Sequence, residues 1–283
     1  MIRIISDSST LYSTKEGQAH GVTIAPLTVI INGKTYKEYE DINTKEFIDI
    51  INEGHIPSSS QPSIGQVVEL FNEYEEDEII NISMAAGLSG TYNSAVMASG
   101  MANNPERISV INSKTLCGPH RYLVDLAVAL RDAGKTKEEI INEIEKTINY
   151  TKSFLLPLDF DYLVRGGRIS SLVGKVGSAI KLVPVMIVAE DGKSLMKYTT
   201  KRTFKKAIQK IVEQMVEDKV DSDWKIYISH SCNEELAEQA KNIIVDNISD
   251  ADIEINILGP VFTTQGGPGC LAIQYIKKHE QLK

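Results

Sequence analysis

The stretch I-I-N-I-S-M-A-A-G-L-S-G-T-Y-N-S-A-V-M-A, Ile79 to Ala98, decides the fold. Its apolar start, Ile79 to Met84, predicts a short buried strand, and the small residues Ala85 to Gly90 predict a loop. An amphipathic run from Thr91 through Ala95 to Met101 predicts a helix. Strand, glycine-rich loop and helix in that order aim free backbone N–H groups at an anion, and the positive end of the helix dipole adds to the attraction. Ser89 and Thr91 offer hydroxyls to the same anion. Three kinds of site compete here: a phosphate loop, a serine nucleophile and a carboxylate cradle.

Toward the N-terminus, Ile2 to Ile5 reads as a strand ending in the polar loop Ser6-Asp7-Ser8-Ser9-Thr10. Val22 to Ile31 is β-rich, and Asn32-Gly33 is a hairpin turn signal. A helix opens at Asn43-Thr44-Lys45-Glu46 with either of the first two residues as its cap. Pro57 to Ser63 reads as a hydroxyl-rich loop, followed by a helix carrying Ile64, Val67, Val68, Leu70 and Phe71. Beyond the central stretch come a strand at Ile108 to Ile111, a loop at Ser113 to Gly118, and helices near Arg121 to Ala133 and Thr136 to Tyr150. Alternating strands and helices predict a parallel α/β sheet with its ligand loops at the strands' C-terminal ends.

A second unit starts near Lys152. Phe154 to Leu158 reads as a strand, and Asp159 to Val164 as a turn or short helix ending in Arg165-Gly166-Gly167-Arg168-Ile169-Ser170. Two strands, Leu182 to Ala189 and Ser194 to Thr199, flank the hairpin signal Asp191-Gly192. The helix Thr203 to Val216 has apolar residues at i, i+3/i+4 spacing and a basic outer face of Lys201, Arg202, Lys205, Lys206 and Lys210. The spacing then predicts a strand at Lys225 to Ser229, a helix at Glu234 to Ile244, strands at Ile253 to Leu258 and Val261 to Thr263, and a last helix at Cys270 to Lys278. The expected organisation is therefore an α/β domain over 1–150 and an α+β domain with a mixed sheet over 151–283.

Totals narrow the function. A net charge of −8 on 283 residues argues against a nucleic-acid binder. Three scattered cysteines, Cys117, Cys232 and Cys270, fit reduced thiols in the cytoplasm. No signal-peptide core and no apolar run of about 20 residues is expected to lead the chain out of the cytoplasm or across a bilayer.

The serine nucleophile is weakly supported, because Thr91 stands where G-x-S-x-G needs its last glycine and none of the five histidines has a triad context. The phosphate loop is weaker, with neither G-x-x-x-x-G-K-[ST] nor a lysine near Ser89. No cluster has metal-ligand spacing; Asp7 is expected to bond its own loop. A carboxylate cradle needs only hydroxyls and N–H groups, which the Ser58–Ser60 and Ser89–Thr91 loops supply. Helix caps and turns account for the same serines without a ligand, most readily for Ser58 and Ser63. Arg165 and Arg168, spaced by two glycines, suit a phosphate or a protein contact.

Six motifs in order are similar to the DegV family, the fatty-acid-binding subunits of bacterial fatty acid kinases. They are Asp7-Ser8-Ser9, Pro26-Leu27, Ser60-Gln61-Pro62-Ser63, Leu88-Ser89-Gly90-Thr91-Tyr92, Arg165-Gly166-Gly167-Arg168-Ile169 and Gly267-Pro268-Gly269, and the likeness covers the whole chain. The resemblance implies a two-domain α/β protein, an N-terminal three-layer parallel-sheet domain plus a C-terminal mixed-sheet domain, holding one long-chain fatty acid between them. It implies no cofactor, no metal and no catalysis. The carboxylate would be met by Ser59 and Ser89, with Ser60, Gly90 and Thr91 beside them. A partner kinase would phosphorylate the bound acid, the acyl phosphate would feed phospholipid synthesis, and Arg165, Arg168 and Arg202 would dock that kinase. The protein would act in the bacterial cytoplasm, as a monomer, with no stable membrane insertion. One departure stands out: Gln265 occupies the place two residues before Gly-Pro-Gly where the family pattern has histidine, and glutamine donates a hydrogen bond without becoming a cation. Two alternatives from other classes stay open, a hydrolase acting at Ser89 and a lipid-sensing regulator. Ile64, Met84, Met97, Leu182, Val185, Ile187, Ile228, Leu258 and Phe262 are the apolar residues available to line a tail pocket.

Overall fold

The computed structural model describes residues 1–169 and 182–283; Ser170, which closes the predicted Arg165–Ser170 turn, lies outside them. In chain order the elements are β1 (Ile2–Asp7), α1 (Thr14–Ala19), β2 (Val22–Ala25), β3 (Thr28–Ile31), β4 (Lys34–Lys37), α2 (Thr44–Asn52), β5 (Ser58–Ser60), α3 (Ile64–Glu73), β6 (Glu78–Ser83), α4 (Thr91–Met101), β7 (Ile108–Asn112), α5 (Cys117–Asp132) and α6 (Lys137–Ile148). Then come β8 (Thr151–Leu156), α7 (Asp161–Gly166), β9 (Val183–Val188), β10 (Leu195–Lys201), α8 (Phe204–Glu217), β11 (Trp224–His230), α9 (Glu234–Val245), β12 (Asp252–Ile257), α10 (Pro260–Gly266) and β13 (Leu271–Lys277).

The protein is a mixed α/β structure built on two principal sheets. The first is parallel, in the order β2-β1-β6-β7, with Ile4 opposite Ile80 and Ile80 opposite Ser109. The second has six strands in the order β10-β9-β8-β13-β11-β12, antiparallel except for the β11–β12 pair. A small antiparallel sheet, β4-β3-β5, stands beside them. Asn32 and Gly33 both take positive φ, as the two-residue turn between β3 and β4 requires.

The helix caps are the ones the residues dictate. Asn43, Ser63 and Thr136 each accept from the N3 backbone N–H of their helix, and the N3 side chain returns the bond. α8 buries Ala207, Ile208, Ile211, Val212 and Met215, and with α9 it covers one face of the second sheet. α3 and α4 cover one face of the first sheet around Ile5, Phe71 and Ile79. α5 and α6 cover the other, in a core that also takes in Tyr227 of β11 and Ile276 of β13. α5 is thus packed between the two sheets. Its Gly118 lies so close to Tyr227 that an added Cβ would stand 2.1 Å from the ring.

Three predicted elements are corrected. Ser58–Ser60 is a strand, not loop, because Ser59 pairs with Val29 on the edge of the small sheet. Val261–Thr263 is helical: Pro260 starts α10 at a position where a missing N–H is harmless, and this local start outweighs the β-branched composition. Cys270–Lys278 is not a helix but contains β13, the strand between β8 and β11. A strand covered on both faces reads as a continuous apolar run, which periodicity alone does not separate from a helix. α4 also departs from the expected amphipathic pattern, burying Thr91, Ser94, Ala95 and Ala98 while Val96, Met97 and Met101 face out.

Candidate functional site

The site begins with Asp7, at the end of β1. Its carboxylate accepts from Ser9 N at 3.0 Å, bonding its own loop as expected, and from Met84 N at 3.0 Å. The second bond fixes the chain where β6 gives way to the Ala85–Gly90 loop. That loop closes on itself through Leu88 N and Ser89 N, both donating to Ala85 O. It delivers Ser89 to the N-terminus of α4. There the Ser89 and Thr91 hydroxyls are 2.8 Å apart, and Thr91 N donates to Ser89 Oγ at 3.3 Å. Gly90 lets the Gln61 side chain lie against its Cα, and Gln61 Nε2 reaches Ser94 Oγ at 3.5 Å.

Ser59 arrives from the other side, its backbone held by β3. Gln265, in the last turn of α10, donates from Nε2 to Ser59 Oγ at 3.0 Å. Gln265 Oε1 is buried without a hydrogen-bond partner among the described residues and rests against Gly166, where a Cβ would stand 2.1 Å away. Arg168 comes directly after the left-handed Gly167 that ends α7; its Nε donates to Leu88 O at 3.3 Å and its Nη1 to Gly166 O.

These groups border one cavity between the two sheets. Ser59, Ser60, Gln61, Ser89, Arg168 and Gln265 line it, and Arg168 is the one charged residue among the described residues that do. Most of the remaining wall is apolar, including Leu27, Met84, Leu155, Leu195, Leu258 and Phe262. Of the residues expected along a tail pocket, Met84, Leu258 and Phe262 do line it. Val185 and Ile228 pack instead in the core beneath α8 and α9, and Met97 is exposed. Gly90 and Thr91 stand behind Ser89 and are not part of the wall, Thr91 acting through the Ser89 hydroxyl. Arg165 is exposed and stacks on the Tyr162 ring at 4.4 Å; Arg202 is exposed on the turn before α8.

Three buried groups outside the predicted set shape the site. Glu38 is fully buried, accepting from Ser8 Oγ at 2.7 Å and from Val261 N at the start of α10 at 2.9 Å. Desolvation pushes its carboxyl up to about 8, against the lowering effect of those two bonds. His120 is fully buried between Ser9 Oγ at 2.7 Å, Ser6 Oγ at 3.2 Å and Ile82 O at 3.0 Å, and burial lowers its pKa. It serves the loop after β1 and not Ser89, whose hydroxyl partner is Thr91. Gln274 of β13 also lines the cavity. An isolated polar residue inside an apolar run was the signal for Gln274; for His120, between Pro119 and Arg121, and for Glu38, in a charged stretch, there was none. Cys117 and Cys270 line the cavity as free thiols, both pushed up by burial, Cys270 to about 12.

The scaffold is thus a two-sheet α/β fold around a largely apolar cavity with hydroxyls at one edge. A family profile described as "Uncharacterised protein, DegV family" matches residues 1–278, and the chain belongs to the DegV family. It is 30% identical over 282 residues to a DegV domain-containing protein of Halalkalibacterium halodurans, covering 98% of this chain and 99% of that one. It is 29% identical over 277 residues to one of Staphylococcus aureus, covering 97% and 98%. Among solved structures it is similar to DegV of Bacillus subtilis, described as a fatty acid binding protein, at 28% identity and a TM-score of 0.86 over 98% of this chain and 99% of that one. A fatty acid binding DegV family protein from Streptococcus agalactiae superposes with a TM-score of 0.87 at 25% identity, over 99% of each chain.

Proposed function

We propose that this protein binds a single long-chain fatty acid in the cavity and presents its carboxylate to a partner kinase, which forms the acyl phosphate for phospholipid synthesis. The observation that carries the reading is the cavity itself, apolar along most of its wall and edged by paired hydroxyls. Each buried methylene is worth about 0.8 kcal/mol, so a sixteen-carbon chain supplies on the order of 10 kcal/mol before the losses of binding. The descriptions of the Bacillus and Streptococcus proteins support the same ligand class.

The hydroxyls are oriented as donors. Gln265 N–H donates to Ser59 Oγ, leaving the Ser59 proton free for a carboxylate. Thr91 N–H also donates to Ser89 Oγ, and with the Thr91 hydroxyl as donor in the 2.8 Å bond between the two, the Ser89 proton is free as well. The Arg168 guanidinium supplies the positive charge that Gln265 does not. In this reading residues 1–150 and 151–283 are two domains with the ligand between them. The protein works in the cytoplasm without catalytic residues, and exposed Arg165 and Arg202 dock the kinase together with Arg168.

Native mass spectrometry of the purified protein, followed by denaturation and lipid analysis, tests the binding. A stoichiometric fatty acid is expected; a protein that stays empty after incubation with fatty acids overturns the reading. Ser59→Ala and Ser89→Ala are each expected to weaken binding by about 1–3 kcal/mol, the cost of leaving a buried charge short of a donor. Unchanged affinity in both would remove the headgroup assignment. Arg165→Ala with Arg202→Ala is expected to keep lipid occupancy and slow acyl phosphate formation.

A further inference from the structure

Glu38 lies directly behind the cavity wall. It does not itself line the cavity, but both of its hydrogen-bond partners lead to residues that do. Oε1 accepts from the backbone N–H of Val261, a wall residue, at 2.9 Å. Oε2 accepts from Ser8 Oγ at 2.7 Å, and Ser8 Oγ in turn accepts from the backbone N–H of Leu27, a second wall residue, at 3.0 Å. Gly259 leaves room for the carboxyl, because an added Cβ there would collide with Oε1. The side chain is wholly buried, and the described residues give it no cationic partner. A buried carboxyl without a cation holds its proton, since ionisation would leave a charge in apolar surroundings. Burial accordingly pushes Glu38 up to about 8.

The headgroup edge is close by. Val261 and Gln265 are one turn apart on α10, ~6 Å at the helical rise, and Gln265 donates to Ser59 Oγ. A fatty-acid carboxylate held at Ser59 therefore stands on the order of 10 Å from Glu38, across the wall that Leu27 and Val261 form. Two negative charges at that separation repel, and a hydrocarbon chain filling the cavity removes water that would screen them. Both effects act against ionised Glu38 once the ligand is in place. Asp7, at the end of β1, adds a like charge of its own. The other titratable groups beside this network stay neutral near pH 8: Tyr39 and Cys117 are pushed up by burial, and His120 is pushed down by it.

We propose that Glu38 couples fatty-acid binding to proton uptake: the anion binds tightly while Glu38 is protonated and more weakly once it is ionised. The inference rests on the fatty-acid reading above and adds its regulation by pH.

Calorimetric titration of the intact protein with tetradecanoic acid across this pH range tests it. The bound anion raises the Glu38 carboxyl further, so full affinity is present below about 8 and is lost as pH rises through that value. Affinity is expected to fall about tenfold over about one pH unit and to level off above, the size of a charge pair at this separation. An ordinary ligand carboxyl is ionised throughout and adds no slope. Glu38→Gln, which has no proton to lose, is expected to show no such fall. If the acid binds with the same affinity at every pH, the inference falls while the fatty-acid reading stands. A fall of the same size in Glu38→Gln also overturns it. If the acid binds at no pH, both readings fall. Should Glu38→Gln fail to fold, Ser8→Ala decides: it removes a donor to the ionised carboxyl and should move the fall to higher pH, and an unmoved fall overturns the inference.

Discussion

The two sheets reach the cavity by different means. The parallel sheet contributes loops at its strands' C-terminal ends: Leu27 after β2, the Met84–Ser89 loop after β6 and Leu116 after β7. The mixed sheet contributes a strand face, Ser153 and Leu155 of β8 opposite Gln274 and Ala272 of β13. Loops bend freely, so they can aim hydroxyls and N–H groups at one atom. A strand face offers one side chain every second residue at fixed spacing, which builds a long smooth wall. The contrast teaches that the polar edge and the apolar wall of the cavity are set by separate pieces of chain.

The largest expected effect strikes the loop side. Glu38 ties the Ser8 turn to the start of α10, and its carboxyl is raised to about 8 in the folded protein. The unfolded chain releases that proton near the ordinary glutamate value, so the folded state holds more protons in between. Stability is therefore expected to fall as pH rises from the ordinary glutamate range to about 8, by on the order of a few kcal/mol, and to level off above. Glu38→Gln should flatten that slope in denaturant midpoints taken across the window; an identical slope would show that Glu38 is not the group responsible.

On the wall, Ala272→Phe is expected to occupy the space of several methylenes and weaken fatty-acid binding by about 3 kcal/mol, with little change in unfolding midpoint. Equal binding would mean that the chain does not run along β13. The helix between the sheets tests their independence. Gly118→Ala should lose about 2 kcal/mol of stability by pressing a methyl into Tyr227. The smallest effect serves as its contrast: Gly100→Ala, on α4 with open space around it, should gain about 0.5–1 kcal/mol. If both changes act alike, α5 is less tightly held between the sheets than its contacts show.

The same contrast governs what the amino-acid sequence revealed. The strand–loop–helix unit around Ile79–Met101 was legible because the apolar run of β6 and the small-residue loop agree there, although α4 has neither an amphipathic face nor a side-chain cap. β13 was not, since a strand buried on both faces carries no alternation of polar and apolar residues. α10 was masked by Val261, Thr263 and Thr264, and β5 by being three serines, whose pairing with Val29 no hydrophobic pattern announces. Among the site residues, Ser89 stood out by its glycines, while Ser59 and Gln265 were legible through the family resemblance. Their meeting at 3.0 Å across 206 positions of sequence is a property of the assembled fold.

β13 is the last of the described strands in the chain, yet it lies in the interior of the mixed sheet between β8 and β11. During synthesis, the β8 and β11 edges emerge first and wait unpaired, as edges that invite wrong partners. The bonds that finish the cavity rim, Val261 to Glu38 and Gln265 to Ser59, span 223 and 206 positions and close late for the same reason. A nascent chain thus has no completed cavity until β13 slides into place between β8 and β11.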